Sequence, residues 1–214
     1  MKKTLFVYGK GGFGKEVLDI ANRMATFNEI YFIDDFDFDN KTTFNLSYVF
    51  ENLINKGDCY FTIAIGDVNL RNRVIANVIS AGGSFATLID PTAVISPTAQ
   101  IKEGVIICQL AFVGPDAVID SYCIVNTAAV IGHDIKISEY CVISPSVNIG
   151  GQSEIGKNVY LGMGSIVKEG LKIGENAVLG MGSVLHSDLP GFMLAMGNPA
   201  RPIRKIDEDF RIFS

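Results

Sequence analysis

The chain has 214 residues, of which 48% are hydrophobic and 19% charged, a composition typical of a globular protein with one large or two small domains. Its net charge of −5 and pI near 5.0 argue against a nucleic-acid partner, whose phosphates require an excess of lysine and arginine. No apolar run reaches the ~18 residues of a membrane span or the pattern of a signal peptide, so we expect a cytoplasmic protein without a membrane partner. Four cysteines without CxxC spacing favour reduced thiols over disulfides or a zinc site.

The first 90 residues alternate apolar runs with amphipathic segments. Val17, Leu18, Ala21 and Met24 form one apolar face of a predicted helix over residues 14–25. Further helices are predicted at LSYVFENLI and NLRNRVIANVIS, and strands at TLFVY, EIYFI, CYFTIAIG and FATLI. Strands separated by helices in such short units predict a small, Rossmann-like parallel α/β domain over residues 1–90.

A glycine-rich segment, YGKGGFGKEV, follows the first predicted strand and opens the first predicted helix. Gly9, Gly11 and Gly14 fit the G-x-G-x-x-G of a dinucleotide site. Gly9, Gly14 and Lys15 fit a P-loop, except that Glu16 stands where the P-loop has its final Ser or Thr. Backbone N–H groups at such a helix start form an anion site. The pattern therefore predicts a phosphate-bearing ligand, although a loop that serves only the fold has the same pattern.

An acidic pair, Asp34 and Asp35, ends the second predicted strand at the place where a dinucleotide enzyme holds a ribose. About 90 residues give too few strands for two mononucleotide-binding halves, however, and the missing Ser/Thr removes the Mg²⁺ ligand of a P-loop. NAD and ATP are both poor candidates for the ligand.

A period of six residues begins after Pro91. All sixteen positions counted in sixes from Ile95 to Leu185 are Ile, Leu or Val, and the residue two positions earlier is usually small or β-branched. Glycine often follows the aliphatic residue, where we expect chain corners that need unusual backbone angles. These glycines are Gly114, Gly132, Gly150, Gly156, Gly162, Gly174 and Gly180. Three hexads make one triangular coil, so residues 91–214 are predicted to form a parallel β-helix of about five coils with a C-terminal tail.

Residues 18 apart should lie above one another in such a stack. Cys123 and Cys141 then fall in an inward column and are predicted to be core thiols. His133 falls in another column, between Pro115 and Gly151, where the scarcity of side chains predicts a groove. From spacing alone, a catalytic histidine and one that only decorates a solvated corner remain open alternatives.

Residues 95–185 resemble the left-handed β-helix acyltransferases. With the front domain included, the chain resembles a narrower group, the sialic acid O-acetyltransferases and the N-acetyltransferases of nucleotide-linked amino sugars, such as the UDP-N-acetylbacillosamine-forming enzyme. The resemblance implies a homotrimer that binds acetyl-CoA in grooves between its subunits. NTAAVIGHD is similar to the family's N-x6-H followed by an acid, which implies that His133 is the catalytic base, that Asp134 orients it, and that Asn126 assists or caps a turn.

The resemblance also implies two sets of binding residues. Those implied for acetyl-CoA are Gly151, Gly162, Met163, Gly180, Met181 and Arg201, the last within a basic patch with Arg204 and Lys205. Those implied for the nucleotide sugar are Gly11, Gly12, Phe13, Asp34, Asp35, Ile65, Gly66 and Asp67. Val142 stands where some relatives carry a second histidine linked to acetyl-CoA.

No metal is expected, because β-helix carbonic anhydrases need three histidines per zinc and this chain has only His133 and His186, the latter expected at the surface. The implied activity is direct transfer of acetyl from acetyl-CoA to the C4 amino group of a nucleotide-linked amino-dideoxy sugar, in lipopolysaccharide O-antigen or glycan synthesis. The alternatives are O-acetylation of sialic acid or a related sugar, and a non-catalytic trimeric scaffold.

Overall fold

A computed structural model describes residues 2–54, 58–207 and 210. The chain divides into two compact units, one that ends at Leu88 and one that runs from Ile89 to Phe210. None of the helices in the described ranges has both the length and the apolar content that a membrane span requires.

The first unit is a five-stranded parallel sheet with three helices. The strands are β1 (Lys3–Tyr8), β2 (Glu29–Ile33), β3 (Thr43–Phe44), β4 (Asp58–Ile63) and β5 (Ser84–Phe85), and the helices are α1 (Gly12–Met24), α2 (Leu46–Asn52) and α3 (Val68–Ser80). The strand order is β3-β2-β1-β4-β5, with α1 packed against β1 and α3 against β4. The predicted parallel α/β fold is therefore confirmed.

Two details of the first unit differ from the sequence prediction. FATLI is not one strand, because β5 ends at Phe85 and a separate strand, β6, covers Leu88–Ile89. The buried face of α1 is formed by Gly14, Val17, Ile20 and Ala21, while Leu18 and Met24 are only partly buried. The first turn of the helix packs closely against the backbone of Gly9, which is possible because Gly14 has no side chain. The buried face therefore includes Gly14, which the pattern of apolar side chains did not indicate.

The second unit is built from sixteen two-residue strands, β7 to β22, one for each hexad. In chain order they cover residues 94–95, 100–101, 106–107, 112–113, 118–119, 124–125, 130–131, 136–137, 142–143, 148–149, 154–155, 160–161, 166–167, 172–173, 178–179 and 184–185. Every third strand pairs in parallel, as Val113 does with Ile131 and Ile131 with Ile149, which is the predicted 18-residue coil.

The short strands form three sheets. One contains β7, β10, β13, β16, β19 and β22, the second β8, β11, β14, β17 and β20, and the third β6, β9, β12, β15, β18 and β21 followed by the C-terminal hairpin β23 (Met193–Gly197) and β24 (Ala200–Lys205). The aliphatic residue that ends each strand points inward and is buried from Ile107 onward, while Ile95 and Ile101 in the first coil are half-buried. The coils are those that the hexads predict, and the fold is the left-handed β-helix that the family resemblance implies.

The prediction that glycines after the strands supply unusual backbone angles is wrong. The left-handed conformation occurs two residues later, at every sixth residue from Gly104 to Gly182, and most of these residues are not glycine. The glycines after the strands are needed for a different reason: a Cβ on Gly132 would lie 2.7 Å from the nitrogen of Gly151, and one on Gly156 2.6 Å from the nitrogen of Glu175. The backbone of the next coil passes too close for any side chain.

The cysteines of the inward column are core residues, as predicted. Cys123 and Cys141 are fully buried, and their thiols donate to the carbonyl oxygens of Ser138 at 3.1 Å and Gly156 at 3.0 Å. Each thiol thus satisfies its weak donor within the stack.

Candidate active site

His133 lies at the corner that follows β13. Its side chain is 60% exposed, and its Nδ1 lies 2.7 Å from Oδ2 of Asp134. A carboxylate at that distance holds the ring proton on Nδ1 and leaves Nε2 as a proton acceptor. The imidazole is therefore accessible to solvent, and its Nδ1 side is occupied by the carboxylate.

The backbone places the Asp134 carboxylate beside the ring. Asp134 occupies a left-handed corner position with φ +56°, which aspartate tolerates better than most residues, and its N–H donates to the carbonyl of Pro115 one coil away at 2.9 Å. The corner conformation that every coil uses thus sets the orientation of the His133–Asp134 pair.

The imidazole lies directly over Gly151, one coil away. A Cβ on Gly151 would lie 2.6 Å from Nε2 and 2.7 Å from Cε1 of His133. The coils are held together here by the Gln152 N–H, which donates to the His133 carbonyl at 2.9 Å. Only glycine at position 151 leaves room for this ring position.

Asn126 does not lie beside His133 within one chain. It follows β12, whereas His133 follows β13, so the two residues occupy successive corners of the same coil. Its side-chain oxygen accepts the Thr127 N–H at 3.2 Å and its carbonyl accepts the Ala129 N–H at 3.2 Å. These contacts are those of a turn cap.

Four of the residues implied for acetyl-CoA share the corner of Asn126. The pairing of β12, β15, β18 and β21 stacks Gly162 and Gly180 in its column and Met163 and Met181 in the next one. The two methionines are 58% and 76% exposed. Gly151 alone of the predicted acetyl-CoA residues in the coils lies at the His133 corner.

The basic patch lies on the C-terminal hairpin. Arg201, Arg204 and Lys205 are all exposed on β24, which pairs antiparallel with β23. The Arg204 guanidinium lies 5.1 Å from the centre of the Phe210 ring. The charges are accessible to an anionic ligand.

The glycines of the YGKGGFGKEV loop have two different roles. Gly9 has φ +99° and a Cβ there would lie 2.8 Å from the Ala64 oxygen, while a Cβ on Gly14 would collide with the Gly9 carbonyl. Gly11 and Gly12 face open space, and Gly11, the N-cap residue of α1, makes no side-chain cap hydrogen bond. The first pair is required by the fold, and the second leaves the first amides of α1 accessible to an anion.

Asp34 and Asp35 shape the loop after β2. Asp35 Oδ2 accepts the Tyr8 hydroxyl at 2.6 Å and its Oδ1 accepts the Leu46 N–H at 2.8 Å, while Asp34 Oδ1 accepts the N–H groups of Phe36 and Asp37, each at 3.0 Å. Burial, and then the hydrogen bond to Asp35, hold the pKa of Tyr8 well above its ordinary value of 10.

The remaining predicted nucleotide-sugar residues lie in loops that meet at one sheet edge. Phe13 is half-buried in the first turn of α1; Ile65 and Gly66 follow β4, and Asp67 caps α3 by accepting the Leu70 N–H at 2.8 Å. Because β2, β1 and β4 are neighbours, the loops after them lie together at the carboxyl edge, where open α/β sheets bind ligands.

Comparison with known proteins supplies the family. Residues 4–78 match the PglD N-terminal domain and residues 86–188 match the GMPPB C-terminal domain. The acetyltransferase domain of PglB from Neisseria gonorrhoeae FA1090 is 32% identical, with 94% of this chain and 99% of that chain covered and a TM-score of 0.88. The chain belongs to the PglD-type nucleotide amino-sugar N-acetyltransferases.

Two further solved structures are similar to this PglD-type enzyme. PerB from Caulobacter crescentus, in complex with CoA and GDP-perosamine, is 28% identical over 94% of this chain and 97% of that chain, with a TM-score of 0.85. WeeI from Acinetobacter baumannii AYE is 26% identical over 94% and 100%, with a TM-score of 0.86. The expected resemblance is confirmed, and the protein is an acetyl-CoA-dependent sugar N-acetyltransferase.

Several features of the PglD-type enzyme were not predicted from its sequence. The 18-residue spacing predicts that His133 and Gly151 share a column, but not that the ring lies directly over the glycine. A second such feature is the Lys10 ammonium, which bonds the Asp37 carbonyl at 2.7 Å and its carboxylate at 2.5 Å. The alternation of acids and phenylalanines in DDFDFD was the available signal for a specialised loop after β2.

Val142 is buried in β15, away from the His133 corner, and His186 is exposed.

The described ranges contain no group of three or more His, Cys, Asp or Glu side chains placed to hold a metal ion.

Proposed function

We propose that this PglD-type enzyme transfers acetyl from acetyl-CoA directly to the C4 amino group of a nucleotide-linked amino-dideoxy sugar, with His133 as the general base. The observation that carries the proposal is the exposed imidazole, oriented by Asp134 at 2.7 Å and lying over a glycine backbone. The relatives support it, since PerB was solved with CoA and GDP-perosamine together. The products serve lipopolysaccharide O-antigen or glycan synthesis.

The chemistry follows from the orientation of the ring. Nε2 of His133 accepts a proton from the amine as its nitrogen attacks the thioester carbonyl, and a C–N bond forms. Asp134 stabilises the imidazolium as the tetrahedral oxyanion develops, and backbone N–H groups near Gly151 are suitable donors to that oxyanion. The C–S bond then breaks, and the departing CoA thiolate takes the proton from the imidazolium.

The α/β unit is suited to the nucleotide. The uncapped N-terminus of α1 at Gly11 and Gly12 has room for a diphosphate, whose charge the helix dipole favours. Both oxygens of Asp35 are engaged in holding the loop, so its contribution to binding is indirect. Asp34 and the loop after β4 are the nearer candidates for sugar or base contacts.

A homotrimer explains why the predicted site residues occupy two corners. Asn126, Met163 and Met181 lie at one edge of the sheet that contains β13, and His133 lies at the other edge. At about 3.3 Å per extended residue, the chain between the two corners spans about 20 Å. The outward side chains of this sheet include Val94, 60% exposed, and Ile166, 44% exposed. A second copy that covers this apolar face would bring its own corner to His133, with acetyl-CoA held between subunits.

The test is an assay of the full chain with acetyl-CoA and a panel of UDP-, dTDP- and GDP-linked 4-amino sugars, with CoA thiol release and product mass as readouts. The expected product carries one acetyl group on nitrogen. Matched 4-hydroxy sugars and free sialic acid are the controls. Acetylation of sialic acid with no turnover of any amino sugar would overturn the proposal in favour of O-acetylation.

A further inference from the structure

Phe36 is the most exposed of the large hydrophobic side chains in the described residues. It follows the acidic pair after β2, and 96% of its surface is accessible. Phe38, two residues on, is 42% exposed. Two exposed aromatic side chains on one turn form a small apolar patch outside the core of their unit, and such patches are typical of binding surfaces.

The backbone beneath the ring is held from both sides. Asp34 accepts the N–H groups of Phe36 and Asp37 at 3.0 Å, and Lys10 bonds the Asp37 carbonyl at 2.7 Å and pairs with its carboxylate. The Asp35 carboxylate, between Asp34 and Phe36 in the sequence, accepts hydrogen bonds from the Tyr8 hydroxyl and the Leu46 N–H. The ring is therefore presented on an anchored turn.

The turn lies beside the glycine loop. Gly9 donates its N–H to the Ile33 carbonyl at 2.8 Å, and Lys10 joins the loop to Asp37. A diphosphate on the first amides of α1 would extend its nucleoside toward the loops after β2 and β4. The second of these loops offers Ile65, Gly66 and Asp67, none of them aromatic, whereas the turn after β2 offers Phe36 as its most exposed aromatic ring.

We propose that Phe36 is the platform on which the nucleobase of the sugar nucleotide stacks, and that it determines much of the affinity for the nucleotide. The proposal rests on the proposed function, whose substrate is a nucleoside diphosphate sugar. A ring face binds every base, and more strongly the larger one, so a purine gains more from Phe36 than a pyrimidine does.

The absence of tryptophan from the sequence allows a direct test. Phe36→Trp introduces the sole tryptophan, whose emission can be excited selectively over that of the seven tyrosines, and a base stacked on it should quench that emission. We expect saturable quenching by GDP, UDP and dTDP, strongest for GDP, and none by inorganic pyrophosphate, which fills the anion site without a base. The matched control is Ile79→Trp, 49% exposed near the far end of α3, whose emission should not change. The proposal would be overturned if pyrophosphate quenched the Phe36→Trp emission as strongly as the nucleotides do. It would also be overturned if a nucleotide shown by calorimetry to bind caused no quenching.

Kinetics give a second readout. Phe36→Ala should raise the KM for the nucleotide sugar about tenfold, leave kcat and the KM for acetyl-CoA nearly unchanged, and keep the melting temperature, while Phe36→Tyr restores the wild-type KM. If Phe36→Ala were active with an unchanged KM for the nucleotide sugar, the stacking role of Phe36 would be contradicted, whereas the proposed function would still stand. Nucleotide quenching without any acetyl transfer would instead support the platform and contradict the proposed function.

Discussion

The two units fix their functional groups in different ways. In the α/β unit, Asp34, Asp35 and Lys10 are held by individual side-chain hydrogen bonds that belong to no repeating ladder. In the β-helix, His133 is placed by a backbone ladder that repeats every 18 residues. A change in the first unit should therefore spread through a small bonding network, whereas a change to an outward side chain of the second should leave the frame intact.

The largest effect is expected for His133→Asn. The side chain is 60% exposed and the frame does not depend on it, so the melting temperature should stay within about 2 °C of the wild type. Loss of the general base should lower kcat by about 10²–10⁴-fold. Steady-state kinetics and differential scanning fluorimetry measure the two quantities. A fall of less than threefold in kcat would show that another group removes the proton.

Gly151→Ala and Gly156→Ala separate the two uses of glycine in the coils. The added methyl at 151 meets the exposed imidazole, which can swing away, so kcat should fall about 10- to 100-fold with little loss of stability. The added methyl at 156 meets the backbone of the next coil 2.6 Å away, so the melting temperature should fall by several degrees. If the two variants lost the same stability and kept the same kcat, the ring position over Gly151 would have no catalytic importance.

A smaller effect is expected for Asp134→Asn. Asparagine also tolerates the left-handed corner at φ +56°, so the backbone should be preserved while the charge beside Nδ1 is lost. We expect kcat to fall about tenfold or more, with the KM for both substrates within a factor of two, since the orientation and stabilisation of the imidazolium are weakened. Asp116→Asn, at the equivalent corner one coil earlier, is the matched control and should not change kcat.

The smallest effect is expected for Tyr8→Phe in the α/β unit. It removes the 2.6 Å hydrogen bond to Asp35 and should lower the unfolding free energy at pH 7 by about 1 kcal/mol. Because the pKa of Tyr8 is raised by folding, the stability it contributes is complete below pH 10, the ordinary pKa, and is lost as the pH rises toward the folded value. Thermal melts should show a smaller difference in melting temperature between wild type and variant at pH 10.5 than at pH 8. A constant difference would indicate that Tyr8 titrates normally.

The same difference between the units explains how far the sequence was predictive. Counting in sixes placed every strand from Val94 to Leu185 because one backbone geometry repeats. It did not reveal why Gly132 and Gly156 are glycines, since the clash is with a coil 18 residues away in sequence. In the α/β unit, the loop residues Asp34 and Asp35 were found as acids, but their partners Tyr8 and Leu46 lie far along the chain and no local pattern identifies them.

Gly151, directly beneath the imidazole, contributes only main chain to the surface there. A substitution at position 151 can add a side chain under the ring, but there is no side chain to shorten or remove. On the proposed mechanism, a new acceptor preference would therefore arise from the loops around the site, because the backbone under the imidazole has no side chain to exchange.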